Sequence, residues 1–159
     1  MKTKAILQIK AINQHLEQIH GYSADAIQAI DTEDYEPESW DDCRFCVDGI
    51  DLMVLNEDER RERIRESVEE SLWAYRASWL RDIGVIPHNA VEAIERMQEE
   101  LCEDATPIIR ALVDAEYPNF GDFVEEDTDA PGRLASWDGE EDEQTVNGVV
   151  CQTFYVYRM

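Results

Sequence analysis

An α+β fold, with helices packed on a small antiparallel sheet, is predicted by three features of the sequence. Apolar residues recur at helical spacing in two segments, through Ile6, Ile9, Ile12, Leu16 and Ile19 and again through Ile64, Val68, Leu72, Tyr75 and Trp79. Between them RFCVDGIDLMVL (44–55) reads as a β-hairpin, with Asp48-Gly49 at its turn. The last stretch, VVCQTFYVYR (149–158), concentrates β-branched and aromatic residues and reads as a strand. No repeat and no long linker divides the 159 residues, so the chain reads as one domain.

The first helix ends at Gly21, the residue that most readily takes a left-handed C-cap. Ser23 caps a short second helix through Ile30, and 31–42 is an acidic loop carrying Tyr35, Pro37 and Trp40. The hairpin feeds the central helix, 56–80. Asn56 is its N-cap and Glu59 the returning side chain of a capping box, because a side-chain oxygen and a carboxylate three positions apart can each take one orphan N–H. Trp73 and Leu80 widen its apolar stripe, while Arg61, Glu62, Arg65, Glu66, Glu69 and Glu70 form a face for water. Asn89 caps a further helix with Val91, Ile94, Met97 and Leu101 inward. Thr106-Pro107 starts another, running to about Ala115. Residues 117–124 read as a turn with Phe120 and Phe123 packed inward, and 134–137 as a strand. The hairpin and the two late strands make one sheet.

Charge is the main anomaly. There are 37 acids against 14 bases, a net of −23, while an apolar fraction of 43% is enough for a core. A compact domain of this length is about 40 Å across, and duplex DNA carries one charge per ~1.7 Å of axis. The chain thus has the charge of a duplex segment of its own length. That field excludes ordinary nucleic-acid binding and favours basic partners. The acids are patterned: residues 31–59 hold twelve and one Arg, and 125–143 hold nine and one Arg, which gives −11 and −8. No apolar stretch reaches membrane length and no secretory leader opens the chain, so a cytosolic compartment with reduced thiols is expected.

Motifs for chemistry are sparse. Cys43-x-x-Cys46 has the spacing of half a zinc site, but a second close pair is missing, and buried reduced cysteine is the better reading. His15, His20 and His88 have no specific partner in the sequence. Neither 31–34 nor 138–143 has the alternating oxygens of a calcium loop closed by a distal Glu. Arg60, Arg61, Arg63 and Arg65 are offset by Glu62, Glu66, Glu69 and Glu70 on the same helix. A small metal-dependent enzyme built on Cys43, Cys46 and a His is the least favoured class.

Four segments, VLNEDE (54–59), SLWAY (71–75), GRLASWDGEEDE (132–143) and YVYR (155–158), resemble short acidic proteins encoded by phages and prophages. The resemblance runs from the hairpin onward and carries no assigned activity, so it implies no catalytic residue. Related sequences have a longer Gly-Arg-Gly-His segment before the Asp-Gly-Glu. Here Arg133 runs straight into Leu134 with no His. By analogy, small acidic phage proteins resemble inhibitors of restriction, CRISPR or other host machinery that handles nucleic acid.

The expected function is that of a non-enzymatic binding protein without cofactor or metal, touching neither nucleic acid nor membrane, which blocks a basic host nucleic-acid-binding protein by mimicry. Its contact residues are Asp34, Tyr35, Glu36, Glu38, Trp40, Asp41 and Asp42 in the first acidic segment, and Glu140, Glu141, Asp142 and Glu143 in the second. The carboxylates stand for phosphates and the aromatics for interface anchors. This requires the two segments to converge in space. The alternative is an acidic assembly protein that self-associates through its C-terminal strand.

Overall fold

Helix α1 (Thr3–Gln18) lays Ala11, Ile12 and Leu16 against one face of an antiparallel sheet. The computed structural model describes residues 3–82, 84, 86–116, 134–135, 139–147 and 151–159; the turn at 117–124, the acids of 125–129 and Asp138 lie outside them. The chain divides into two compact units, Met1–Glu62 with Pro131–Met159, and Arg63–Ala130. The junction falls inside a helix, which is why the sequence shows no linker there.

In the first unit, strands β1 (Arg44–Val47), β2 (Ile50–Asn56), β3 (Asp142–Val146) and β4 (Gln152–Arg158) form one sheet in the order β1-β2-β4-β3. Asp48 and Gly49 both take positive φ at the β1–β2 turn and set Phe45 opposite Leu52. Alternation then sends Phe45, Val47, Leu52, Val54, Val146, Phe154 and Val156 to the face covered by α1. Each large side chain buried there contributes about 1.5–3 kcal/mol.

The stripe of α1 is rotated from the expected one. Ile6 and Ile19 are 44% and 58% exposed, while Gln8 and His15 are buried. Bonded partners allow this: Gln8 Nε2 donates to Val54 O at 3.2 Å, and His15 Nδ1 donates to Asp142 Oδ2 at 2.6 Å. Helix α2 (Ala24–Gln28) is capped by Ser23 as expected, and stops before Ile30. The late strand is also misplaced in the sequence reading. Leu134 and Ala135 are buried but lie outside any strand, and the strand beside β4 is Asp142–Val146, whose β pattern is hidden among acids with only Gln144 and Val146 turned inward.

The central helix is broken. Helix α3 (Glu57–Glu70) has the predicted capping box, with Glu59 N donating to Asn56 Oδ1 and Asn56 N to Glu59 Oε2, both at 3.0 Å. It ends after Glu70, with no basic residue in the last turn; of its two final acids, which oppose the helix dipole, Glu69 is paired with Arg65 at 2.8 Å and Arg110 at 2.7 Å. A 3-10 turn (Leu72–Ala74) and α4 (Ala77–Asp82) follow. The broken ladder is satisfied from elsewhere in the second unit. Gln98 Nε2 donates to Tyr75 O at 2.7 Å and Leu72 O at 3.3 Å, and Thr106 Oγ1 donates to Glu70 O at 3.2 Å. Ile64, Val68, Leu72, Tyr75 and Leu80 are buried as predicted, but Trp79 is partly exposed and stacks on Tyr75. Helix α5 (Val91–Leu101) is entered through a 3-10 turn, so Asn89 does not cap it, and Leu101 is exposed. Helix α6 (Thr106–Glu116) takes Thr106 as its first residue.

Candidate partner-binding surface

The first acidic segment is folded back on the sheet by its own polar groups. Asp31 caps a 3-10 turn (Thr32–Tyr35), and Tyr35 OH donates to Asn13 Oδ1 at 2.6 Å, which fixes the turn to α1. Tyr35 is therefore a tether and packs against the core. Glu38 N donates to Arg44 O at 2.8 Å, tying the loop to β1. Asp41 is only 6% exposed: Oδ1 accepts from Cys43 N at 3.0 Å and Oδ2 lies 3.6 Å from Arg44 Nε. Asp42 is exposed and pairs with Lys4 at 3.3 Å. Trp40 stands out at 69% exposed, with the Arg44 guanidinium 5.1 Å from its ring centre.

In the second segment Glu141 and Asp142 are committed internally. Glu141 accepts two bonds from Arg60, at 2.7 and 3.0 Å, and one from Tyr157 OH. The same guanidinium sits 4.5 Å over the Tyr155 ring, and Tyr155 OH donates to Glu57 Oε2 at 2.6 Å. Burial first, then the bond to Glu141, holds the Tyr157 phenol far above its ordinary value. Asp142 accepts from His15 and, at 2.7 Å, from Gln144 Nε2. Glu140 and Glu143 are exposed.

Among the described residues the candidate acids of the two segments do not converge: those of the first lead into β1 and Glu140 to Glu143 into β3, the opposite edges of the sheet, about 14 Å apart at the usual strand spacing. Asp41, Glu141 and Asp142 serve the fold; Asp34, Glu36, Glu38 and Trp40 remain on one side, Glu140 and Glu143 on the other. Strand β4 is paired along both edges, with β2 and β3, so self-association through it would require opening the sheet.

A cleft of about 230 Å³ opens beside Trp40, lined by Glu38, Arg44, Phe45, Asp51, Leu52 and Met159 as well. Glu38 Oε2 and Arg44 Nε are buried without a hydrogen-bond partner among the described residues. Sequence reasoning missed Arg44, Asp51 and Met159. Hairpin register from Asp48-Gly49 already sets Arg44, Cys46 and Asp51 on one face of β1 and β2, but nothing local brings Met159 there; its N–H donates to Asp51 O at 3.0 Å.

The cysteines do not form half a zinc site. Strand alternation sends Cys43 and Cys46 to opposite faces, so Cys43 is buried as expected while Cys46 is exposed. Asp41, Asp42 and Cys43 bring ligand atoms within 4.8 Å of one another, but Lys4, Arg44 and the Cys43 N–H already engage the two carboxylates. Lys4 also pairs with Glu59. Burial, with the Glu59 charge second, pushes the Cys43 thiol up to about 12, away from the thiolate that a metal or a nucleophilic role requires. Among the described residues no helix is long and apolar enough to cross a membrane. Comparison with family models, curated proteins and solved structures finds no match to this chain.

Proposed function

We propose that this protein is a non-enzymatic acidic binding protein that covers a basic, nucleic-acid-handling surface of a partner protein and competes with nucleic acid for it. The observation that carries this reading is Trp40, 69% exposed in a segment, 31–42, with seven acids and no base. An indole left in water gains most when a partner covers it, and the surrounding carboxylates select a cationic partner. Each carboxylate accepts charge-assisted bonds from Arg or Lys as a phosphate oxygen does. Glu140 and Glu143 extend the field from the other edge of the sheet and steer the approach. The resemblance to acidic phage and prophage proteins favours a host defence protein, of the restriction or CRISPR kind, as the partner.

The test is affinity capture from bacterial lysate with duplex DNA as competitor. Parent protein is compared with a variant carrying Asp34→Lys, Glu36→Lys, Glu140→Lys and Glu143→Lys, two charge reversals in each acidic segment. The parent is expected to retain a basic nucleic-acid-binding protein that DNA and salt release. The variant, folded by circular dichroism, is expected to retain none. Retention that survives the four reversals, or that DNA leaves untouched, overturns the proposal.

A further inference from the structure

The cleft beside Trp40 combines an aromatic wall, two carboxylates and an apolar floor. Its volume of about 230 Å³ is below the roughly 300–1,000 Å³ usual for whole small-molecule ligands, and suits one long side chain. Phe45, Leu52 and Met159 offer apolar surface to a methylene stem, and Glu38 and Asp51 supply negative charge. Glu38 Oε2 is a buried acceptor with no hydrogen-bond partner among the described residues, and such a group is costly until a donor reaches it. The Arg44 guanidinium lies against the indole and its charge is answered by Asp41, yet 69% of Trp40 stays exposed, which leaves ring surface for a second cation. An anionic occupant is disfavoured, because residues 31–59 carry a net −11.

We infer that this cleft receives a single arginine side chain from the protein's basic partner. The guanidinium stacks on Trp40 and donates to Glu38 Oε2, Asp51 adds charge, and the stem lies along Phe45, Leu52 and Met159. The inference rests on the binding function proposed above and adds to it a pocket that distinguishes arginine from lysine. A guanidinium is planar, weakly hydrated and carries five donors, so it stacks and donates at once; an ammonium is a hydrated point charge that cannot stack.

The experiment titrates an oligoarginine peptide and an oligolysine peptide of equal length into the full chain at low salt, by calorimetry. Four proteins are compared: the parent, Trp40→Ala, Glu38→Gln and the four-site charge-reversal variant. Trp40 is exposed and Glu38→Gln conserves shape, so both single variants keep the fold. The parent is expected to prefer the arginine peptide. Trp40→Ala is expected to abolish that preference and weaken arginine binding about three- to tenfold, the usual worth of a cation–π contact, with lysine binding and the salt slope unchanged. Glu38→Gln is expected to weaken arginine binding as well. Absence of the parent's preference, or an unweakened response in either single variant, overturns the arginine pocket. If the four-site variant is weak in that case, the acidic surface reading still stands. If the four-site variant also binds undiminished, the broader reading falls and takes the pocket with it.

Discussion

What a carboxylate does in this protein depends on whether a donor reaches it. Asp41 and Glu141 are anionic residues turned into structural ones by a backbone N–H and a guanidinium, whereas Glu36, two positions from the Asp34 carboxylate, stays in water. The Tyr155–Glu57 bond gives this a pH signature. The bond itself, with burial second, pushes Tyr155 up to about 12 from its ordinary 10, and the same bond holds Glu57 below its ordinary 4.5. A phenol that binds its proton more tightly when folded contributes stability that is complete below about pH 10 and lost as pH rises toward 12. A carboxylate held low contributes stability present above about pH 4.5 and lost as pH falls through its folded value. Tyr155→Phe is therefore expected to flatten the stability profile at both ends, with Tyr157 retaining part of the alkaline loss. Urea denaturation at a series of pH values reads this, and an unchanged profile in the variant contradicts it.

At the scale of elements, the start of α3 is the best-specified point in the chain. Asn56 and Glu59 exchange their two hydrogen bonds, and Glu59 also pairs with Lys4 on α1, so one side chain caps one helix and pins another. Asn56→Ala is expected to cost about 1 kcal/mol, the usual worth of a cap. Glu59→Ala is expected to cost more, because it loses the Lys4 pair as well. Glu59→Gln is expected to cost least of the three, since the amide oxygen keeps the capping bond and only the pair is lost, which is part-exposed and worth under about 1 kcal/mol. Denaturant midpoints give the ranking, and an Asn56→Ala midpoint equal to the parent's would contradict the role of the box. The other end of α3 was not legible in this way. The apolar stripe continues through Ser71 without a break, and only Gln98 and Thr106, from later helices, show where the ladder is cut.

For the whole molecule, a net charge of −23 means that folding brings like charges together. Raising ionic strength from about 0.01 to 0.1 M shortens the Debye length from about 30 to 10 Å, so the melting temperature is expected to rise. Binding to a basic partner is expected to weaken over the same range. The opposite signs separate self-repulsion from recognition in one salt series, followed by thermal melts and by calorimetry. A melting temperature that falls with salt would mean that the ion pairs, Arg60–Glu141 and Lys4–Glu59 among them, outweigh the excess of acids.

The sequence alone determined what depends on neighbours in the chain. Asp48-Gly49 turned the hairpin, Asn56 and Glu59 capped α3, the β-branched and aromatic residues of 152–158 made a strand, and together they specified an α+β fold, because φ/ψ preference and capping act over a few residues. Only the tertiary structure decided which acids are surface and which are staples. Arg60 and Glu141 are 81 residues apart and His15 and Asp142 are 127 apart, and no local pattern reports such pairings. Strand order is likewise non-local: inserting β4 between β2 and β3 puts β1 and β3, with the described acids that lead into them, at opposite edges, while the register of β1 on β2 gathers Glu38, Trp40 and Asp51 around one cleft.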